Sequence, residues 1–189
     1  MKRLAVLLAF ASLSAGAAHA DDATPFYVSA GVGHVSVDKG SISLSGGSGG
    51  GINGTDTAVS LSGGYQFDPH FGIELGYHDY GTPTAFSQTG FILAECPASF
   101  SCPKVSGITA EVLGRMELVP DLDGILRAGV LAWNIGSPGL SFLKDTSGNA
   151  FIYGIGVQHH FDYGLSVDVT YERSNFTTEE TRIGLSYAF

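Results

Sequence analysis

The sequence predicts an all-β fold, an eight-stranded antiparallel up-and-down transmembrane β-barrel. Three observations carry that prediction. From Phe26 to Phe189 the chain divides into segments of about ten residues in which apolar and polar side chains alternate, the period of a strand with lipid on one face and a lumen on the other. The connections between segments alternate between short and long. Glycine fills 27 of the 189 positions, about twice its usual share. After the N-terminal leader no apolar run is long enough for a membrane helix, so a membrane-inserted chain of this kind must be a closed sheet, which alone satisfies its backbone in lipid.

The leader is residues 1–20. Lys2 and Arg3 form a positive start, Leu4 to Phe10 an apolar stretch, and Ala18-His19-Ala20 a small-x-small cleavage site followed by Asp21 and Asp22. This is the anatomy of a secretory signal peptide, and it leaves one domain, residues 21–189. Without Lys2 and Arg3 the domain has seven basic and eighteen acidic residues, a formal charge of −11. That balance argues against nucleic acid, whose affinity comes largely from Lys and Arg on phosphates.

The strands follow in order. The first, around Phe26–Val37, sets Val28, Ala30 and Val32 against Ser29, Gly31 and Gly33. The second sets Thr57, Val59, Leu61, Tyr65 and Phe67 against Ala58, Ser60, Ser62, Gly64 and Gln66. The third sets Phe71, Ile73, Leu75 and Tyr77 against Gly72, Glu74, Gly76 and His78. The fourth opposes Ile108, Ala110, Val112 and Met116 to Thr109, Glu111, Arg115 and Glu117. In the fifth, Leu126, Ala128, Val130 and Ala132 face away from Arg127, Gly129, Leu131 and Trp133. The sixth separates Phe151, Tyr153, Ile155, Val157 and Phe161 from Gly154, Gly156, Gln158 and His160. The seventh separates Leu165, Val167, Val169 and Tyr171 from Ser166, Asp168, Thr170 and Glu172. The eighth separates Ile183, Leu185, Tyr187 and Phe189 from Arg182, Gly184, Ser186 and Ala188. An even number of strands lets the sheet close with both ends of the domain on one side.

Tight connections fall at Phe67–Phe71, Val119–Gly124 and Asp162–Gly164. Long ones fall at Asp38–Asp56, Gly81–Lys104 and Ile135–Gly148, and a shorter one at Ser174–Glu180. Short periplasmic turns and long extracellular loops are the layout of an outer-membrane barrel. Tyr65, Phe67, Phe71, Tyr77, Tyr80, Phe161, Tyr163, Tyr187 and Phe189 cluster at strand ends, where aromatic girdles form at the membrane–water interface.

The last strand, Thr181-Arg182-Ile183-Gly184-Leu185-Ser186-Tyr187-Ala188-Phe189, resembles the C-terminal strand of the OmpA/OmpX-like small outer-membrane β-barrel superfamily, and the likeness extends over almost all of residues 21–189. The resemblance implies location in the outer membrane of a Gram-negative cell, surrounded by lipid and lipopolysaccharide. It also implies delivery by periplasmic chaperones to the barrel-assembly machinery, with Leu185, Tyr187 and Phe189 as the assembly signal. OmpA continues into a peptidoglycan-binding domain. This chain ends at Phe189, so cell-wall anchoring is not expected of it.

The inward faces carry Glu74, Glu111, Arg115, Glu117, Arg127, Asp168, Glu172 and Arg182. A charge facing lipid at the midplane would cost about 2–4 kcal/mol for Arg, so these residues are expected as a polar network in the lumen. Counting from the short turns predicts two clusters, Glu74 with Arg115 and Arg127, and Glu172 with Arg182. Eight strands leave room for little more than side chains, which favours a structural network over a gated narrow pore. The inward glycines leave space for water pockets.

Cys96 and Cys102 lie in the second long loop, and export to an oxidising compartment predicts a disulfide between them. Two thiolates alone make a poor zinc site. That loop also carries Phe86, Phe91, Ile92 and Phe100, and is either a contact for a host or surface ligand or a segment folded over the barrel mouth or dipping toward lipid. The first loop holds Ser45-Gly46-Gly47-Ser48-Gly49-Gly50-Gly51, lacks the ending of a phosphate loop, and reads as a flexible tether.

His34-Val35-Ser36 has the spacing seen in lipid A deacylases, with Asp38 placed to orient the imidazole, but nothing around it matches that family. The other histidines offer no metal-ligand spacing. The expected function is therefore structural or surface-interacting: envelope integrity, adhesion or host contact by a monomer without cofactor or catalytic residues. A narrow porin ranks second and a lipid-modifying enzyme third.

Overall fold

The computed structural model describes residues 25–43, 49–82, 85–88, 91–93, 104–136, 146–175 and 178–189. The signal-peptide residues, Cys96 and Cys102 lie outside these ranges. Ten strands form: β1 (Phe26–Ser43), β2 (Gly49–Gln66), β3 (Phe71–Asp79), β4 (Ala85–Gln88), β5 (Phe91–Leu93), β6 (Lys104–Val119), β7 (Leu122–Gly136), β8 (Thr146–His160), β9 (Leu165–Ser174) and β10 (Thr178–Ala188). Eight of them, β1-β2-β3-β6-β7-β8-β9-β10, close an antiparallel barrel, because β1 pairs with both β2 and β10. The closing seam runs in continuous register from Tyr27↔Ala188 to Val37↔Thr178. β4 and β5 form a hairpin added to the edge of β2.

Apart from Glu117 at the turn end of β6, the barrel strands present the predicted faces. Val59, Leu75, Ile108, Val112, Leu126, Ile155 and Ile183 lie outward and exposed, an apolar belt that only lipid can cover. Glu74, Arg127, Asp168, Glu172 and Arg182 lie inward and buried. Aromatic rings meet edge-on where the outer wall reaches the short turns, Phe26 with Tyr65 at 4.9 Å, Tyr65 with Phe67 at 5.1 Å and Tyr187 with Phe189 at 5.5 Å.

The three short turns share one end of the barrel with Phe26 and Phe189, whose backbones hydrogen-bond at 3.1 Å. In the β2–β3 turn, Asp68 Oδ1 accepts hydrogen bonds from the backbone N–H of His70 at 2.7 Å and of Phe71 at 2.9 Å, the local bond that suits Asp to turns. The β8–β9 turn passes through Tyr163 and Gly164, both with positive φ.

At the opposite end several strands continue past the barrel. A membrane-crossing strand needs about 9–11 residues. β3, β9 and β10 have 9, 10 and 11, whereas β1 and β2 have 18 each and β6 has 16. The surplus of β1 and β2 is a ribbon that pairs as far as Ser43↔Gly49, with a register shift between Lys39 and Ile42. This corrects the reading of the first long connection as a tether for Asp38–Ser43 and Gly49–Asp56, while residues 44–48 lie outside the described residues. Glycine and serine runs carry no side-chain alternation to read, but ladder hydrogen bonds need only the backbone. Likewise the Gly81–Lys104 connection contains β4 and β5 and docks on Gly50–Asn53 of β2.

The lipid-facing belt predicts a depth-dependent cost. Val112→Arg, at the middle of the outward face of β6, should destabilise the barrel by about 2–4 kcal/mol in reversible urea unfolding from liposomes, and Leu118→Arg, near the short turn, by about 0–1 kcal/mol. Equal costs would contradict the placement of the belt.

Candidate functional site

The interior is filled in layers, and the middle layer is charged. Arg127, inward on β7, donates from Nη1 to Glu74 Oε1 at 2.8 Å. The same guanidinium lies 3.6 Å from Glu111 Oε2 and 3.7 Å from Glu172 Oε1. Arg182 Nη2 donates to Glu172 Oε1 at 2.9 Å, and its Nη1 lies 3.4 Å from Ser60 Oγ. Tyr27 Oη donates to Glu74 Oε2 at 2.9 Å. The two clusters expected from sequence are therefore one network, joined where Arg127 meets Glu172.

Its topology explains why so much charge is concentrated there. Glu74 on β3 stands directly opposite Glu111 on β6, and Glu172 on β9 directly opposite Glu180 on β10. Like charges facing each other across a sheet destabilise it. Arg127 touches both members of the first pair, and the second is held by Arg182 on Glu172 and by His78, whose Nδ1 is 3.4 Å from Glu180 Oε2.

The inward glycines make the network fit. A Cβ on Gly64 would lie 2.1 Å from the Tyr27 ring, and one on Gly154 would lie 2.6 Å from Glu172 Cγ. The space expected to hold water pockets is, at these positions, occupied by side chains from the neighbouring strands.

Three predicted members sit elsewhere. Arg115 is half-buried, hydrogen-bonds Gln66 and lies 5.4 Å from the centre of the Tyr27 ring, and so does not pair with Glu74. Glu117 is exposed opposite Asp123, where the wall reaches the short turn, and is not a lumen residue. Asp168 is buried beside the network, but none of the described ion pairs includes it and its Oδ2 accepts no hydrogen bond from the described residues. Nearer the turns, Gln158 donates to Ser186 Oγ at 3.1 Å, and His160 lies 2.9 Å from both Asp123 Oδ2 and Ser166 Oγ.

Two interior features escaped the sequence reading. Glu180, counted at the end of a connection, is buried on the inner face of β10, and His78 reaches it across the lumen. At the loop end Val35, Val37, Tyr80, Val105, Leu131, Trp133, Ile135 and Ile152 form a buried apolar layer. Their inward parity was available, since Leu131 and Trp133 share the face of Arg127. The missing signal was that the raised parts of β1, β6, β7 and β8 enclose them. His34 is exposed on the outer face, with Ser36 half-buried on the same face, and the side chain of Asp38 lies outside the described residues.

A family model described as outer membrane protein beta-barrel domain matches residues 5–189. Among solved structures, Neisserial surface protein A is similar at 17% identity and a TM-score of 0.60, covering 89% of this chain and 100% of its own. The N-terminal β-barrel domain of Pseudomonas aeruginosa OprF is similar at 11% identity and a TM-score of 0.56, with 89% and 100% covered. These identities support a shared fold and nothing finer. No curated protein matches.

Removing the shared cation should leave buried carboxylates uncompensated. Arg127→Met is expected to cost about 3–5 kcal/mol in urea unfolding from liposomes, and Arg115→Met, half-buried with a neutral partner, clearly less. Equal costs would show that Arg127 is not the centre of the network.

Proposed function

Because this chain belongs to the outer membrane protein β-barrel family and resides in the outer membrane, we propose that it acts at the cell surface, through its loop end, as a structural and surface-interaction protein. The observation that carries this reading is the filled lumen. Between the turn-end hydrogen bonds and the apolar layer around Trp133, the interior of an eight-stranded wall is taken up by side chains. A solute crossing it would have to part the ion pairs of Arg127 and displace that layer. The protein instead extends material outward, in the β1–β2 ribbon and the β4–β5 hairpin docked on it.

In this reading the short turns face the periplasm, and the long connections meet a host cell or another surface. A disulfide between Cys96 and Cys102 staples the second connection. Residues 1–20 direct export. Leu185, Tyr187 and Phe189 present the last strand to the barrel-assembly machinery, and its closure against β1 completes the wall. The barrel works as a monomer in lipid and lipopolysaccharide, without catalytic chemistry.

Two measurements test the reading together. In planar bilayers the purified barrel should give no discrete conductance steps across salt and pH. Displayed on a non-adherent Gram-negative strain, it should promote attachment to cultured epithelial cells. A variant with residues 40–48 and 83–103 replaced by short turns should fold, seen as different migration of boiled and unboiled samples, yet lose attachment. Stepwise conductance, or attachment unaffected by the replacement, would overturn the proposal.

A further inference from the structure

The lumen network contains more negative charge than its own cations balance. Among the described residues, the buried carboxylates are Glu74, Glu111, Asp168, Glu172 and Glu180, and the buried guanidiniums are Arg127 and Arg182. The surplus is concentrated at one point. One ligand atom each of His78, Glu111 and Glu172, all buried, lie within 4.8 Å of one another. Glu172 gives Oε1 to Arg182 and Arg127, while its Oε2 accepts no hydrogen bond from the described residues. Glu111 Oε2 likewise accepts none and has only Arg127 at 3.6 Å. Two carboxylate oxygens buried without hydrogen bonds are costly unless something else pairs them.

We propose that His78, Glu111 and Glu172 form a binding site for a divalent transition-metal ion, with zinc the ion that best fits. Zinc accepts imidazole nitrogen and carboxylate oxygen together, and the imidazole favours it over the hard cations. Calcium and magnesium prefer six or more oxygens, which this site lacks. The imidazole is already oriented. Glu180 Oε2 lies 3.4 Å from Nδ1, the carboxylate–histidine arrangement that fixes a metal-bound ring, and leaves Nε2 for the ion. Nε2 now has Thr109 Oγ1 as a hydrogen-bond partner at 3.4 Å, a contact the ion would replace. Ligands of a tetrahedral zinc ion lie about 3.4 Å apart, so the three ligand atoms, within 4.8 Å of one another, would draw together by up to about 1.4 Å to close on it. The ion would relieve the repulsion of both facing carboxylate pairs, since Glu111 belongs to one and Glu172 to the other. The site lies below the apolar layer and stands apart from the proposed surface role, which neither requires it nor depends on it.

The test is metal binding by the whole barrel. The protein is refolded into detergent with ZnCl2, MnCl2, CaCl2 or MgCl2, passed through a sizing column with a mild chelator, and assayed for metal per chain and for its urea midpoint. We expect one zinc per folded chain and a higher midpoint with zinc, and neither effect with calcium or magnesium. His78→Ala and Glu111→Gln should lose both effects. Because a lumen variant could fail to fold, Co2+ is also added to the unaltered barrel, where the visible bands of a tetrahedral nitrogen–oxygen site are expected. Failure of the unaltered barrel to retain zinc, no such cobalt bands, or zinc retained by folded His78→Ala would each overturn the proposal.

Discussion

A single guanidinium organises this barrel. Arg127 reaches from β7 to Glu74 on β3, Glu111 on β6 and Glu172 on β9. Through those carboxylates it is linked to Tyr27 on β1 and to Arg182 on β10, which in turn reaches Ser60 on β2. The remaining wall strand, β8, contributes space: Gly154 lies opposite both Arg127 and Glu172 and admits the Glu172 side chain. Burying charge is expensive, and an ion pair in the interior stabilises only when its geometry is good and its remaining atoms are bonded. An eight-stranded wall brings these groups together, because its inward side chains converge on one narrow axis, but Arg127 Nε, Glu111 Oε2 and Glu172 Oε2 find no hydrogen bond among the described residues.

The same constraint separates the two ends of the molecule. Below the charged layer, small polar pairs such as Gln158–Ser186 and His160–Asp123 lead to tight turns. Above it, the interior turns apolar as the strands rise out of the barrel, and Trp133, Leu131 and Tyr80 cover the network. Water kept from the charged layer by this cover leaves its ion pairs less screened. The cover also means that chemistry at the outer surface must be carried by what protrudes, the β1–β2 ribbon and the elements docked on it. A barrel locked inside and extended outside is suited to presenting a surface rather than to passing a solute.

The sequence disclosed the fold because lipid on one side and a packed lumen on the other impose a strict period of two. Each of the barrel strands from Thr57 to Phe189 shows it, and the assignment of Arg182 and Glu172 to facing inward positions follows from counting. What counting missed has physical reasons. Residues 45–51 carry too few side chains to show a period, so the continuation of β2 back to Gly49 was hidden. Arg115 was placed with Glu74 and Arg127 by height along the strands; Arg127 does reach Glu74, but the register sets Glu111 opposite Glu74, so Arg115 lies nearer the turn and finds Gln66. Glu117 has the right parity and lies one step too far toward the turn. His78, Glu111 and Glu172 are remote in sequence and meet only because the sheet closes, a relation that no ligand spacing along the chain can reveal.

Arg127 and Glu172 join the two halves of the lumen into one network. A double-mutant cycle on Arg127→Met and Glu172→Gln, read by reversible unfolding in liposomes, measures that link directly. A coupling of about 1–3 kcal/mol between the two substitutions is expected. Effects that simply add, within about 0.5 kcal/mol, would show two independent clusters and contradict it.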